Sequence, residues 1–283
     1  LVSAGYNFLF VGQSTQGLIH EGPPPADLNA LGQNAHNGYG GQAVSYLNSG
    51  RGIEAAQEFE RIAVAETSGE DVRREALWKA ADLYRDSGSI SGEQRVLQDI
   101  IARYPNPIVQ SIEGRYRLLE ISRAAGDQAA VTARLEELVR VDATAGAQRS
   151  DRTRYLAAKA SLELAEPVRK RFEVVKLTQP LADSLKLKKD LMEDVIDAYT
   201  RASDYGVAEI TTAATFRLGE VYEQFSSDLM GSDRPTELAP DALEQYEILL
   251  EEQAFPFEEK AIDLYTANTS RAAVRISSSP NRM

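Results

Sequence analysis

Three glycines, Gly50, Gly88 and Gly126, stand 38 residues apart, and their surroundings recur with them. Four residues before each lies Tyr46, Tyr84 or Ser122. Nine after comes Phe59, Leu97 or Leu135, and twelve after comes Ile62, Ile100 or Leu138. A glycine between two apolar-periodic segments, repeated at a fixed interval, is the signature of stacked helical hairpins. Each hairpin exposes an apolar face that only its neighbours cover, so such a chain grows by addition of repeats. Period-2 alternation rich in Val, Ile and Thr is nearly absent, and an all-α fold is expected.

The pattern divides the chain. Residues 1–37 lack helical periodicity and contain Pro23, Pro24 and Pro25, so they read as an irregular N-terminal arm. Regular hairpins are expected at 38–66, 70–104 and 108–141, within a regular region of 38–145. Asp71 and Asp127 are candidate N-caps, and Pro105 ends the second hairpin. Beyond 145 the strict interval fails, and 146–275 reads as longer, degenerate repeats. Expected helices there are Arg149–Phe172 interrupted near Pro167, Pro180–Tyr205 with a stripe of Leu181, Leu185, Leu191, Val195 and Tyr199, Glu209–Leu229, and Asp241–Arg275 broken or kinked at Pro256. Residues 276–283 read as a disordered tail.

Composition excludes several functions. With no cysteine there is neither disulfide nor thiolate chemistry. A net charge of −12 argues against general binding to nucleic acid. No apolar run approaches the roughly 18–20 residues of a membrane-spanning helix. The charge is uneven: residues 149–189 carry 11 Lys/Arg against 5 Asp/Glu, and residues 190–265 carry 4 against 19. Such blocks are either solvated faces or the two surfaces of a polarised array. Leu1 in place of a start methionine leads us to expect a processed N-terminus.

Segment 76–107, ALWKAADLYRDSGSISGEQRVLQDIIARYPNP, resembles a tetratricopeptide repeat, with Ala81, Tyr84, Gly88, Leu97, Ile100 and Pro105 in the family's packing and turn positions. Glu93 replaces the usual Ala, and 38 residues exceed the family's roughly 34. Leu218-Gly219-Glu220-Val221-Tyr222 is similar to the core of a repeat's first helix. The resemblance implies a right-handed superhelical solenoid of TPR-like hairpins, about five helix pairs in all. Residues 144–178 and 245–265 also resemble repeat proteins of the proteobacterial cell envelope, which associate with motor systems of the ExbB/TolQ type. That resemblance implies a periplasmic adaptor, with a cytoplasmic protein as the alternative.

One set of residues recurs without packing requiring it. Glu75, Trp78, Lys79, Asp82 and Arg85 return 38 residues later as Glu113, Tyr116, Arg117, Glu120 and Arg123. Spacings of three and four align them along one side of a helix. In TPR geometry the first helix lines the concave groove. There, Trp78, Lys79, Asp82, Arg85, Tyr116, Arg117, Glu120 and Arg123 would clamp a partner segment between aromatic rings and charges. The alternative is a ladder of ion pairs with the rings packed between helices.

Arg149, Arg152, Arg154, Arg169, Lys170 and Arg171 form either a dock for acidic partners or a solvated face. Glu251, Glu252, Glu258 and Glu259 lack the spacing of a calcium loop and read as a structural face. Catalytic chemistry is poorly served. His20 and His36 are the only histidines, there is no G-x-S-x-G elbow, and Gly38-Tyr39-Gly40-Gly41-Gln42-Ala43 reads as a glycine-rich helix entry. The sequence therefore leads us to expect a non-catalytic interaction scaffold for protein partners rather than nucleic acid, working without cofactor or metal. The rival is a structural subunit of an oligomeric assembly.

Overall fold

The structure is a computed structural model that describes residues 39–65 and 68–278, with side chains of 41–65 and 68–271. The expected arm over 1–37, with both histidines, lies outside the described residues, as do 279–283. The described chain is all-α and built of tandem TPR-like hairpins. These are α1 (Tyr39–Asn48) with α2 (Gly52–Val64), α3 (Glu70–Asp86) with α4 (Ile90–Arg103), and α5 (Ile108–Ala124) with α6 (Gln128–Ala143). After a 3-10 turn at Gly146–Gln148 come α7 (Asp151–Glu173) with α8 (Leu181–Ser203), and α9 (Ala208–Met230) with α10 (Pro240–Ser278).

The three periodic glycines share one conformation, with φ of 72°, 72° and 70°. In each turn the N–H after the glycine donates to the carbonyl four residues before the glycine: Arg51 to Tyr46, Ser89 to Tyr84 and Asp127 to Ser122, at 2.9, 2.8 and 3.1 Å. The glycine N–H donates three residues back, to Leu47, Arg85 and Arg123. This is the Schellman closure, and its left-handed residue is the reason for glycine.

The chain forms two compact units, divided between Tyr104 and Pro105. In the first, α2 packs on α3 and α3 on α4. Its interior is Phe59 and Ile62, then Leu77, Ala80 and Ala81, then Val96, Leu97 and Ile100, all buried. Burying each large aliphatic or aromatic side chain contributes about 1.5–3 kcal/mol. In the second unit, Ile112, Leu119, Leu135, Leu138 and Leu156 join α5, α6 and α7. A further cluster around Phe172, Val195, Tyr199, Val221 and Phe225 joins α7 to α10.

Three local expectations are corrected. Asp71 is not an N-cap: Gly69 precedes α3, and Asp71 lies in its first turn with its carboxylate 2.6 Å from Arg74. Asp127 does cap α6, accepting from the N–H of Ala130 at 2.9 Å. Neither Pro167 nor Pro256 ends its helix. Both prolines are exposed, where water satisfies a freed carbonyl. Buried Ala254 and Ala261 anchor α10 on either side of Pro256. α10 also runs to Ser278, so 276–278 are helical rather than part of a tail.

The second unit is fastened by polar side chains. Lys188 is fully buried in α8, and its ammonium donates to the carbonyls of Phe172 and Val175 at 2.7 and 2.8 Å. It also lies 2.7 Å from Asp228 of α9 and 4.0 Å from the centre of the Phe172 ring. One charge therefore ties the end of α7 and its following loop to both α8 and α9. At the other end of α7, buried Asp142 accepts from Thr153 at 2.8 Å and from Arg149 at 2.9 Å. Gln148 caps α5 by accepting from the N–H of Ile108 at 3.1 Å.

Candidate interaction surface

The recurring stripe falls on α3 in the first unit and on α5 in the second. On α3, Trp78 is buried, with 8% of its surface exposed. The ring thus belongs to the packing, and the aromatic clamp expected of it is corrected: a side chain this deep offers a ligand little area. Lys79 and Asp82 are half-buried and Arg85 is exposed, with its guanidinium 3.3 Å from Asp82.

On α5 the stripe is more open. Tyr116, Arg117 and Arg123 are half-buried and Glu120 is exposed. Here the surface continues onto α7, the first helix of the next hairpin. Arg152 grips both carboxylate oxygens of Glu113 at 2.5 and 3.0 Å. Its guanidinium carbon lies 5.7 Å from the centre of the Tyr116 ring and 6.0 Å from that of Tyr155. The Lys159 ammonium is 5.9 Å from the Tyr116 ring centre, and Arg123 pairs with both Glu120 and Glu163. Two rings on neighbouring first helices thus flank one arginine, within cation–π range.

Sequence reasoning missed Arg152, Tyr155, Lys159 and Glu163 as members of this face. The signal was present with a slipped register. Arg152 bonds a residue 39 positions back, and Arg123 bonds one 40 ahead, where a strict interval of 38 finds nothing.

The remaining arginines of the basic stretch are engaged within the fold. Arg149 pairs with Asp142, Arg154 with Asp151, and Arg169 with Glu166 and Glu173. Arg171 lies 4.0 Å from Asp194, and Lys170 is exposed. Most of this stretch is thus committed to ion pairs within the fold. Glu251, Glu252, Glu258 and Glu259 are exposed on α10.

The electrostatics are those of a framework. Burial and then the Glu60 hydrogen bond push Tyr84 up to about 12. Burial and the Glu166 bond raise Tyr199, and burial and the Glu223 bond raise Tyr265. Burial opposes the ionisation of Glu60 and of Glu166. The hydrogen bonds from Arg95 and Tyr84, and from Tyr199 and Arg169, outweigh it and hold both carboxyls below the usual range. Each of these shifts reinforces the protonation state that the group already has at neutral pH. Two clefts of about 320 and 340 Å³ lie in the second unit, the first between α7 and α9 and the second beside Asp142, Arg149 and Tyr205. Both are at the small end for ligand sites and are lined largely by charged residues, several already paired.

No family model matches the chain, and no curated protein does. Among solved structures it is similar to the nearly identical TPR-like repeats of a kinesin light chain candidate from Podosopora anserina, at 14% identity over 82% of this chain and 95% of that one, with a TM-score of 0.35. A singly substituted form of the same repeats gives 13% identity over 83% of this chain and 96% of that one, again with a TM-score of 0.35. A DHF58 filament gives 16% identity over 85% of this chain and 96% of that chain, with a TM-score of 0.16. Likenesses this loose say nothing about partners.

Proposed function

We propose that this protein is a non-catalytic scaffold that binds a segment of another protein along the first helices of its hairpins. The observation that carries the proposal is the column of Tyr116, Arg152 and Tyr155 on α5 and α7, continued in charge by Lys159, Glu120 and Arg123. Both rings pack against the core shared by α5, α6 and α7 and stay half-exposed around the guanidinium. An extended partner offering apolar side chains and carboxylates would find ring area and donors there at a regular spacing. On α3, in the first unit, Lys79, Asp82 and Arg85 form a polar face of their own and Trp78 is buried. The placement in a bacterial envelope, in the periplasm, rests on the resemblance of 144–178 and 245–265 and is part of the same proposal.

The test is affinity capture from an envelope fraction with the wild-type chain and with a Tyr116→Ala/Tyr155→Ala double variant. Proteins captured by the wild type are expected to be lost from the variant at unchanged helical content. Equal capture by a folded double variant would sink the proposal.

A further inference from the structure

The last helix carries an apolar stripe on its outer side. Leu250, Ala254 and Ala261 of α10 are buried, and Phe257 packs on Phe225. On the opposite side Ile248, Phe255 and Ile262 are 51%, 56% and 62% exposed, and Leu249 beside them is 52% exposed. Their spacing of seven, with Glu252 and Glu259 between them, follows the three-and-four step of one helical seam. From Ile248 to Ile262 the stripe spans 15 residues, a rise of roughly 21 Å of helix.

Its charge is as one-sided as its polarity. Glu251, Glu252, Glu258 and Glu259 border or interrupt the stripe, and none has an ion pair among the described residues. Elsewhere the acidic residues of exposed helix faces commonly meet an arginine three or four residues away, as at Asp82, Glu120 and Glu166. Glu247–Glu251 and Glu259–Asp263 stand at like-charge i,i+4 spacing, which is mildly destabilising.

Charge decides the occupant. In antiparallel pairing of two copies of α10 about Phe255, Glu251 and Glu252 would face Glu258 and Glu259. Parallel pairing would set each glutamate against itself. Anionic lipid is repelled for the same reason. We infer that the outer face of α10 docks a basic amphipathic helix of another protein, whose apolar residues cover Ile248, Phe255 and Ile262 while its Lys or Arg side chains meet the four glutamates. This surface is separate from the one on α5 and α7, so either can fail without the other.

The probe is a fluorescent 21-residue peptide with leucines on one helical face and lysines beside and between them, followed by anisotropy with the intact chain. An Ile248→Gln/Phe255→Gln/Ile262→Gln variant, altered only at exposed positions, should keep its circular dichroism and bind at least about tenfold more weakly, as should a Gln variant of the four glutamates. A scrambled peptide of equal composition should bind about tenfold more weakly to the wild type. Unchanged binding by the triple variant, or equal binding of the scrambled peptide, would reduce the attraction to bulk charge and overturn the inference. So would light scattering that shows a dimer lost in the triple variant, which assigns the face to a second copy. Flotation with phosphatidylcholine vesicles that the triple variant abolishes would overturn it too, by assigning the face to lipid.

Discussion

The hairpins between Tyr39 and Tyr104 are closed by backbone, and those beyond Arg149 are closed by side chains. In the first unit the turns within both hairpins are Schellman loops in which a glycine completes the hydrogen bonding, as is the Gly126 turn that opens the second unit, and the first unit's interior is largely aliphatic and aromatic. In the second, α7, α8 and α9 each reach 23 residues, and the loops after α7 and α9 are pinned by Lys188, Gln179 and Arg234. The connections after α7 and α9 are longer, and their carbonyls take donors from side chains where a four-residue turn supplies them from its own backbone. A backbone solution repeats in sequence because it needs the same glycine each time. A side-chain solution is unique to its loop and leaves no interval to find.

That contrast is open to direct attack. Trp78 is the only tryptophan and lies in the first unit, so its fluorescence follows that unit while circular dichroism follows both. Lys188→Met should have the largest effect. It strands Asp228 and two carbonyls, and should cost about 3–5 kcal/mol in urea unfolding by circular dichroism, with the Trp78 transition unmoved. Gly219→Val comes next, because a Cβ there would lie 2.5 Å from the Tyr265 ring. A loss of about 1–3 kcal/mol is expected in the second unit, and a neutral result would mean the ring yields freely.

Gly88→Ala should cost about 1–2 kcal/mol in the first unit, read by the Trp78 transition. Nothing lies within 4 Å of the added carbon, so the cost is that of a left-handed backbone alone. A comparable loss from Ala at Ser87, whose φ is −87°, would refute the turn argument.

The smallest effect near neutrality is the alkaline one. A phenol whose folded pKa is raised stabilises the fold fully below its unfolded value of about 10, and loses that contribution as pH climbs toward the folded value. Tyr84 is the raised phenol of the first unit, whereas Tyr116, Tyr199, Tyr205, Tyr222 and Tyr265 are raised in the second. Between about pH 10 and 11.5 the second unit should lose stability faster, with Tyr199→Phe flattening the loss. Parallel decline of the two transitions would contradict that assignment.

The hairpins were legible because glycine, proline and apolar spacing act locally, and their limits fall within a few residues of expectation up to Ala143. The site was legible only in part. Three-and-four spacing shows that Trp78, Asp82 and Arg85 share a side of α3, but not how deep each sits, and depth is set by neighbours far away in sequence. Lys188 hid in a run with Lys186 and Lys189 that reads as a solvated face. Its trace was a position in the apolar stripe, between Leu185 and Met192, where a hydrophobic residue was due. The outer stripe of α10 was masked by Pro256, which suggested a break where the helix continues.

The position just before each periodic glycine, held by Ser49, Ser87 and Ala125, is exposed in every turn. In a chain with no cysteine, a thiol placed at any of these positions would be the molecule's single alkylation target. Ser49→Cys, Ser87→Cys and Ala125→Cys would then form a ladder of equivalent chemical reporters at successive rungs. Because each site is open in the folded state, a probe could be attached at one turn per variant without unfolding the hairpin.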